Sequence, residues 1–315
     1  MWIRRLHLLP MTCGQKQLTI KEHTMLLECG IADAYGAGFE FNESAYEANK
    51  NDLSDYVRHM GHPGLAPGQY TDDTQMSIAL AELLLENNFQ QWNKFKIADA
   101  FLTAFKRDPR KGYARRFQGF LEQTNNGNEF VANIRPESDK SGSSMRSAVM
   151  GVIPDMGTMD TLTRMQAALT HNTANGIASA LAVAYASHYF YYRIGKKNDL
   201  FDWLNTKIQW NEPSFGDWKG YVGVVGVECV RAAFTALMQT TKMSDLLVKC
   251  VSFTGDVDTV AAIAGSVGSV CDEIEQDIPQ HLFDKLENKK YGRDYLISLD
   301  EKLTSNHPRP AHQAL

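Results

Sequence analysis

The sequence predicts an all-α protein that folds as a single compact domain. Apolar residues recur at helical spacing in several stretches, prolines lie mostly between those stretches, and alternating strand patterns are scarce. A chain of 315 residues that is 43% hydrophobic can bury a large core. No repeat, low-complexity tract or shift in composition marks a domain boundary, so one helical domain is the simplest prediction.

The clearest helical stripe follows residue 73. Its apolar residues fall at positions i, i+3, i+4, i+7 and i+8, namely Met76, Ala79, Leu80, Leu83 and Leu84. This spacing predicts a helix over 74–88 with one buried face. Further helices are predicted over 94–106, 160–169, 173–193, 222–239, 244–252 and 258–271. Two segments are typical of loops, 61–70 and 125–146, and long loops in a compact domain often carry function.

Composition excludes several classes of protein. The formal charge is −5 and no long Lys/Arg block occurs, which argues against nucleic acid as a partner. Five cysteines without metal-ligand spacing indicate reduced thiols rather than a disulfide framework. His7 and Pro10 interrupt the short apolar start, and no apolar run is long enough to span a membrane. We therefore expect a cytoplasmic protein without a membrane partner.

Two acidic clusters each precede an apolar helical stretch. Asp72 and Asp73 lie between two threonines, and Asp256 and Asp258 precede Thr259. Acids at a helix start are often simple caps, because the helix dipole and free N–H groups favour negative charge there. Carboxylate and hydroxyl oxygens are also the ligands that Mg²⁺ and Mn²⁺ prefer. Spacing alone leaves both interpretations open, since the clusters lie far apart in the sequence.

Several segments together resemble one known family. They are "CGIADAYGAGFE" (29–40), "GQYTDDTQM" (68–76), "SGSSMR" (141–146), "LTHNTANGIASALAVAYA" (169–186), "GYV" (220–222) and "GDVDTVAAIAG" (255–265). In this order they resemble the ADP-ribosylglycohydrolase family. The resemblance implies an all-α fold with a binuclear Mg²⁺ or Mn²⁺ centre in a cleft. It also implies hydrolysis of the bond between ADP-ribose and an acceptor, often a modified protein side chain. Because it begins near Met25, we expect residues 1–24 to be an N-terminal extension outside the domain of residues 25–315.

The resemblance also implies roles for individual residues. The metal ligands it implies are Glu40, Thr71, Asp72, Asp73, Asp256, Asp258 and Thr259. Glu40, Asp73 and Asp258 are the implied catalytic residues, with Glu40 or a cluster aspartate as the general base that activates water. We expect Asp33 to hold Glu40 or the metal loop in place rather than to react.

The substrate contacts implied by the resemblance lie in two further segments. Backbone N–H groups of Ser141, Gly142, Ser143 and Ser144 would bind the diphosphate, although a flexible polar linker is the alternative. His171 would lie near the ligand, although a lone histidine is often only structural. Family members usually have Asn-Gly where this chain has Ser141-Gly142, and glycine where it has Ala32.

Two functions remain open at this stage. The first is a metal-dependent hydrolase that releases ADP-ribose from ADP-ribosylated proteins, for signal reversal or as immunity against a toxin. The second is a non-catalytic module that neutralises a cognate ADP-ribosyltransferase toxin by binding it. The complete set of acids favours the first, because buried carboxylates side by side are costly without a cation.

Overall fold

A computed structural model describes residues 25–311, so the predicted extension of residues 1–24 lies outside the described residues. The described part is helical, with isolated bridges but no β-strand. None of its helices has the length and apolar character needed to cross a membrane. The α-helices are α1 (Met25–Ala37), α2 (Glu43–Glu47), α3 (Asp72–Leu85), α4 (Lys94–Arg107), α5 (Arg115–Gln123), α6 (Gly127–Asn133), α7 (Met156–Ala168), α8 (Ala174–Tyr191), α9 (Leu200–Asn205), α10 (Gly226–Gln239), α11 (Met243–Ser252), α12 (Val257–Ser269), α13 (Gln280–Lys285) and α14 (Arg293–Asn306).

Helices α1 and α12 form the centre of the core, and all 13 residues of each are buried. They approach closely because small residues face each other across the contact. A Cβ on Gly265 would lie 2.6 Å from the Cβ of Ala32, and a Cβ on Gly36 would lie 2.6 Å from the Cα of Asp258. The small residues of α12 therefore serve close helix packing. Gly36 brings the end of α1 against the start of α12.

Helix α3 differs from the prediction in one respect. The apolar stripe predicted a helix with one buried face, but only Glu82 and Leu85 of its 14 residues are not buried. The prediction of a single buried face is wrong, because α3 contacts α1, α4 and α14 on different sides. Small and polar residues such as Ala79, Ser77 and Gln75 fill the other faces.

The seven predicted helices are all present, with shifted ends. The helix predicted from residue 222 begins at Gly226, and the one predicted from residue 74 begins at Asp72. The segment 125–146, predicted as a loop, contains α6. Helix α1 lacks an apolar stripe because it is buried on all sides, so periodicity did not reveal it.

One buried carboxylate joins the two ends of the described chain. Asp300 on α14 accepts hydrogen bonds from the backbone N–H groups of Met25, Leu26 and Leu27 at 3.0–3.1 Å. These N–H groups lie at the start of the described part of α1. A residue from the last helix thus caps the first.

Candidate active site

A cavity of about 1130 Å³ opens beside the starts of α3 and α12. Its floor carries Glu40, Asp72, Asp73, Asp256 and Asp258, and its sides come from α5, the segment 133–142 and His171. The two acidic clusters, distant in the sequence, therefore meet in one place.

The start of α3 is held by a single side chain of α1. Asp33 is fully buried and accepts hydrogen bonds from the backbone and hydroxyl groups of both Thr71 and Thr74 at 2.5–3.1 Å. Thr71 is the N-cap and accepts from the N–H of Asp73 at 3.4 Å. This arrangement fixes the turn from which Asp72 and Asp73 project. Thr71 itself is not among the residues that line the cavity.

The start of α12 is held mainly by backbone. Thr254 and Gly255 adopt left-handed φ angles of 63° and 94°, and Val222 pairs with this segment. The N–H of Val222 donates to the carbonyl of Thr254 at 2.9 Å, and the N–H of Asp256 donates to the carbonyl of Val222 at 3.0 Å. A Cβ on Gly255 would lie only 2.0 Å from the Val222 carbonyl oxygen, so only glycine fits.

Side chains from other helices orient Asp256. Ser141 donates a hydrogen bond to its Oδ2 at 3.2 Å, and the Cys229 thiol contacts the same oxygen at 3.5 Å. Thr259 lines the cavity, and as a hydrogen-bond partner it opposes the rise in the pKa of Asp73 and Asp256. One oxygen each of Glu40, Asp256 and Asp258 lie within 4.8 Å of one another.

Glu40 is held by a histidine that the sequence did not single out. His59 Nε2 lies 2.6 Å from Glu40 Oε2, and its Nδ1 accepts the N–H groups of Gly61 and His62 at 2.9 and 3.0 Å. Because Nδ1 accepts two hydrogen bonds, the ring proton lies on Nε2, which donates to Glu40. Glu40, His59 and His62 have potential ligand atoms close enough together to bind a metal ion. Because Nε2 of His59 carries a proton, it donates a hydrogen bond to Glu40 and cannot coordinate a metal.

Burial and mutual repulsion disfavour the charged forms of the cluster. The pKa values of Asp72, Asp73 and Asp258 are raised well above the usual range, first by burial and then by neighbouring carboxylates. Burial and the charge of Glu40 raise the pKa of Asp256 to about 6. Burial also raises the pKa of Asp33 to about 6, against the opposing effect of its hydrogen bonds from Thr74 and Thr71. Carboxylates in this arrangement require a counter-charge to stay ionised together.

The cluster fits a divalent cation. Asp73 Oδ1 is buried and has no hydrogen-bond partner within residues 25–311, although such oxygens are normally satisfied. The available donors are carboxylate and hydroxyl oxygens, which suit Mg²⁺ or Mn²⁺ better than softer metals. A cation would satisfy the orphaned oxygen and offset the repulsion.

The 141–144 segment is a tight, buried turn and not a flexible linker. Ser141–Ser143 forms a 3₁₀ turn, and the hydroxyl groups of Ser143 and Ser144 donate to the carbonyls of Gly176 and Ser141 at 2.8 Å. Ser143 and Ser144 are fully buried, whereas Ser141 and Gly142 line the cavity. The predicted diphosphate contacts were backbone N–H groups, and those of Ser141 and Ser144 already donate to the carbonyls of Val224 and Ser141 at 3.0 and 2.9 Å. The prediction is therefore wrong for these two N–H groups.

His171 lies against this turn. A Cβ on Gly142 would lie 2.8 Å from His171 Cε1, so glycine is needed for the imidazole to fit. Burial, together with the nearby charges of Arg146 and Lys140, lowers the pKa of His171 to about 3. The imidazole is thus neutral at physiological pH.

Comparison with known proteins now identifies the chain's family. The sequence model of the family described as ADP-ribosylglycohydrolase matches residues 25–312. The chain belongs to the ADP-ribosylglycohydrolase family. It is 24% identical over 292 residues to a putative ADP-ribosyl glycohydrolase of Acanthamoeba polyphaga mimivirus, covering 79% of this chain and 86% of that protein. It is 25% identical over 275 residues to the ADP-ribosyl-(dinitrogen reductase) glycohydrolase of Rhodospirillum rubrum, covering 84% of this chain and 89% of the relative.

A solved structure supports the fold. An ADP-ribosylglycohydrolase-related protein complex superposes with a TM-score of 0.66, covering 90% of this chain and 96% of that chain at 21% identity. This likeness shows the all-α fold. Membership of the family shows that the protein is a hydrolase. The family is metal-dependent and acts on ADP-ribosylated proteins.

This ADP-ribosylglycohydrolase also has a basic rim that the sequence analysis missed. We use the term for Arg115, Arg116, Arg135 and Lys140, which are exposed, line the cavity and form no ion pair with any described acidic residue. Arg115 and Arg116 stand in the first turn of α5, where the helix dipole disfavours cations. The sequence contained no clear indication of a basic surface, because these residues are scattered over two segments of a chain with a net negative charge.

Proposed function

We propose that this ADP-ribosylglycohydrolase releases ADP-ribose from ADP-ribosylated protein side chains, using two Mg²⁺ or Mn²⁺ ions. The observation that carries the proposal is the convergence of two acidic helix starts and Glu40 in one cavity. The proposed metal ligands are Glu40, Asp72, Asp73, Asp256, Asp258 and Thr259. Thr71, which the sequence also predicted as a ligand, is left out of the set because it does not line the cavity and its hydroxyl donates to Asp33. Cations at these residues would orient the ribose hydroxyls and favour deprotonation of water.

The protein groups have separable tasks in this proposal. Cleavage at the anomeric carbon passes through an oxocarbenium-like state, which requires a positioned water and a base. Glu40 is the proposed base, because His59 donates to its Oε2 and no residue in the range 25–311 donates to its other oxygen, which could take a proton from water. Asp73 and Asp258 act by holding the cations and, through them, the sugar.

The remaining cavity suits the rest of an ADP-ribose molecule. Its diphosphate is anionic, and the basic rim supplies unpaired positive charge around the opening. The turn at Ser141 and Gly142 lies between the carboxylates and His171, where a diphosphate attached to the bound ribose would pass. A cavity of about 1130 Å³ exceeds the usual size of a small-molecule pocket, which leaves room for the acceptor side chain.

Release assays test the proposal directly. Purified protein would be incubated with ADP-ribose linked to arginine, serine or DNA ends, with Mg²⁺ or Mn²⁺, and free ADP-ribose would be measured. We expect release from at least one protein-linked substrate, and none in EDTA. Binding of ADP-ribosylated protein without release under any metal condition would contradict the proposal and support a binding module, whether or not its partner is a toxin.

A further inference from the structure

A buried polar network lies directly beneath the candidate ligand site. Arg146 is 1% exposed, and its guanidinium group lies over the ring of Phe101 at 4.5 Å. Its Nε donates to Gln166 Oε1 at 2.6 Å, and its Nη2 donates to the Gln166 carbonyl at 3.0 Å and to Thr170 Oγ1 at 2.8 Å. Thr170 Oγ1 in turn lies 2.7 Å from His171 Nδ1.

The chemistry of these groups fixes where each proton lies. A guanidinium group has only donors, so Thr170 Oγ1 must accept from Arg146. The Thr170 oxygen could accept a second hydrogen bond, but His171 Nδ1 is the only acceptor among the described residues for its hydroxyl proton, so we infer that Thr170 donates to Nδ1. A neutral imidazole carries one ring proton, so that proton lies on Nε2.

Nε2 of His171 faces the cavity. His171 lines the cavity, and no residue in the described range accepts a hydrogen bond from Nε2. A Cβ at position 142 would lie 3.1 Å from Nε2, so Gly142 keeps the space beside this atom open. The N–H bond therefore has no partner among the described residues and points toward the cavity.

The same network also holds the neighbouring turn. Gln166 Nε2 donates to Ser147 Oγ at 2.8 Å, and Ser147 Oγ donates to the carbonyl of Ser143 at 2.7 Å. Both sides of the candidate ligand site, the turn at 141–144 and His171, thus depend on Arg146 and Gln166.

We propose that Arg146 and Thr170 are positioning residues that fix His171 as a neutral hydrogen-bond donor, with its Nε2–H directed at an acceptor oxygen of bound ADP-ribose. The identity of the ligand rests on the proposed function, whereas the proton positions do not. In this arrangement His171 donates a hydrogen bond and serves neither as a base nor as a metal ligand.

Nitrogen-15 NMR of the histidine rings tests the proton positions without ligand or metal. Protein labelled at histidine would be compared with His171→Gln to assign the His171 signals. We expect a protonated Nε2 and an unprotonated Nδ1. A spectrum with the proton on Nδ1 would overturn the proposal, even if the enzyme hydrolyses its substrate normally.

Substitutions at Thr170 test the chain of hydrogen bonds from Arg146 through Thr170 to His171. Thr170→Val should remove the fixed proton position and weaken binding of free ADP-ribose in Mg²⁺ by roughly tenfold, because a hydrogen bond to a charged or strongly polar group is lost. Thr170→Ser keeps the hydroxyl and should behave like the natural protein. The matched control is Thr163→Val, since Thr163 is equally buried on α7 but its hydroxyl contacts only Met159 Sδ among the described residues.

The outcomes separate the two proposals. If Thr170→Val leaves the proton positions of His171 and the affinity for ADP-ribose unchanged, Thr170 is not a positioning residue. If Thr170→Val does not fold, the spectra of the natural protein and of Thr170→Ser still decide the matter. The expected spectrum without any binding of ADP-ribose would refute the proposed function while leaving the proton assignment intact.

Discussion

The starts of α3 and α12 carry similar acidic sequences but are held by different means. At α3 the turn follows ordinary capping, with Thr71 as N-cap, and one aspartate of α1 accepts hydrogen bonds from two threonines. At α12 the N-cap Asp256 makes no capping hydrogen bond with its side chain, and left-handed backbone at Thr254 and Gly255 sets the position from which Asp256 projects. One start depends on side-chain hydrogen bonds, and the other depends on the absence of a side chain.

The threonines show the same contrast. Thr71 lies behind the acids, where its hydroxyl donates to Asp33 at 2.8 Å. Thr259 lies inside α12 and lines the cavity beside Asp73 and Asp256. Residues that match in sequence thus differ in position, so a shared motif does not establish a shared task.

The largest expected effect comes from removing one acid of either start. Asp73→Asn and Asp258→Asn should each lower the rate of hydrolysis by at least roughly a hundredfold while the fold remains, because an amide keeps the shape but removes the charge that holds a cation. The double variant should be little worse than either single variant, since the two acids act as one unit. Initial rates at saturating Mg²⁺ measure this, with circular dichroism as the check on folding. Full turnover by either single variant would mean that the acids are only helix caps.

The backbone at the start of α12 should be intolerant of a side chain. Gly255→Ala would place a Cβ 2.0 Å from the Val222 carbonyl oxygen and also strain a left-handed residue, so we expect it to lower the free energy of unfolding by more than about 3 kcal/mol. Gly220→Ala is the matched control, because Gly220 also has a positive φ of 78° but an added Cβ there meets nothing within 4 Å. That control should cost only about 1–2 kcal/mol. Urea unfolding compares the two, and equal losses would remove the steric argument.

A divalent cation should stabilise both starts together. At a hundredfold excess over its dissociation constant, Mg²⁺ should raise the free energy of unfolding by about 2.7 kcal/mol. EDTA should remove this gain. The acids have pKa values raised above their unfolded values near 4, to about 6 for Asp33 and Asp256, so the folded chain binds protons more tightly than the unfolded chain. In EDTA, the contribution of these two acids to stability should therefore be fully present below about pH 4 and should be lost as the pH rises through about 6.

Melting curves across pH test this competition between protons and metal. The increase in melting temperature caused by Mg²⁺ should be larger at high pH than at low pH, because protons replace the cation at low pH. Identical curves in Mg²⁺ and EDTA at every pH would show that no cation binds at the cluster.

The smallest expected effect concerns the hydrogen bonds that join the start of α3 to Asp33. Thr74→Val removes the hydroxyl that donates to Asp33 at 2.5 Å, and we expect a loss of about 1.5–3 kcal/mol, the range for a hydrogen bond to a charged group. Ser77→Ala on the same helix removes a hydroxyl that donates only to the carbonyl of Asp73 among described acceptors, and it should cost less than about 1 kcal/mol. Thermal melting of the two variants decides whether the Asp33 contact is special, and equal losses would argue against it.

The sequence predicted most of the helices and the acidic residues of the site, but not the residues that hold the site in place. The stripe of α3 gave its location, whereas the burial of α1 on all sides left no stripe to detect. His59 and Arg146 were not identified, because a histidine or arginine alone carries no spacing signal, and their importance arises from contacts with Glu40 and Thr170. The meeting of Asp72 with Asp256 depends on long-range packing between α1, α3 and α12, which no local pattern encodes.

The cap that Asp300 gives to α1 has a consequence for how the protein is made. A ribosome produces α1 long before it produces α14, so Asp300 can accept hydrogen bonds from Met25, Leu26 and Leu27 only after most of the chain has been made. Contacts of such high sequence separation slow folding, because a long loop must close before they form. We therefore expect the contact between Asp300 and α1 to form late in folding, after α14 has been made.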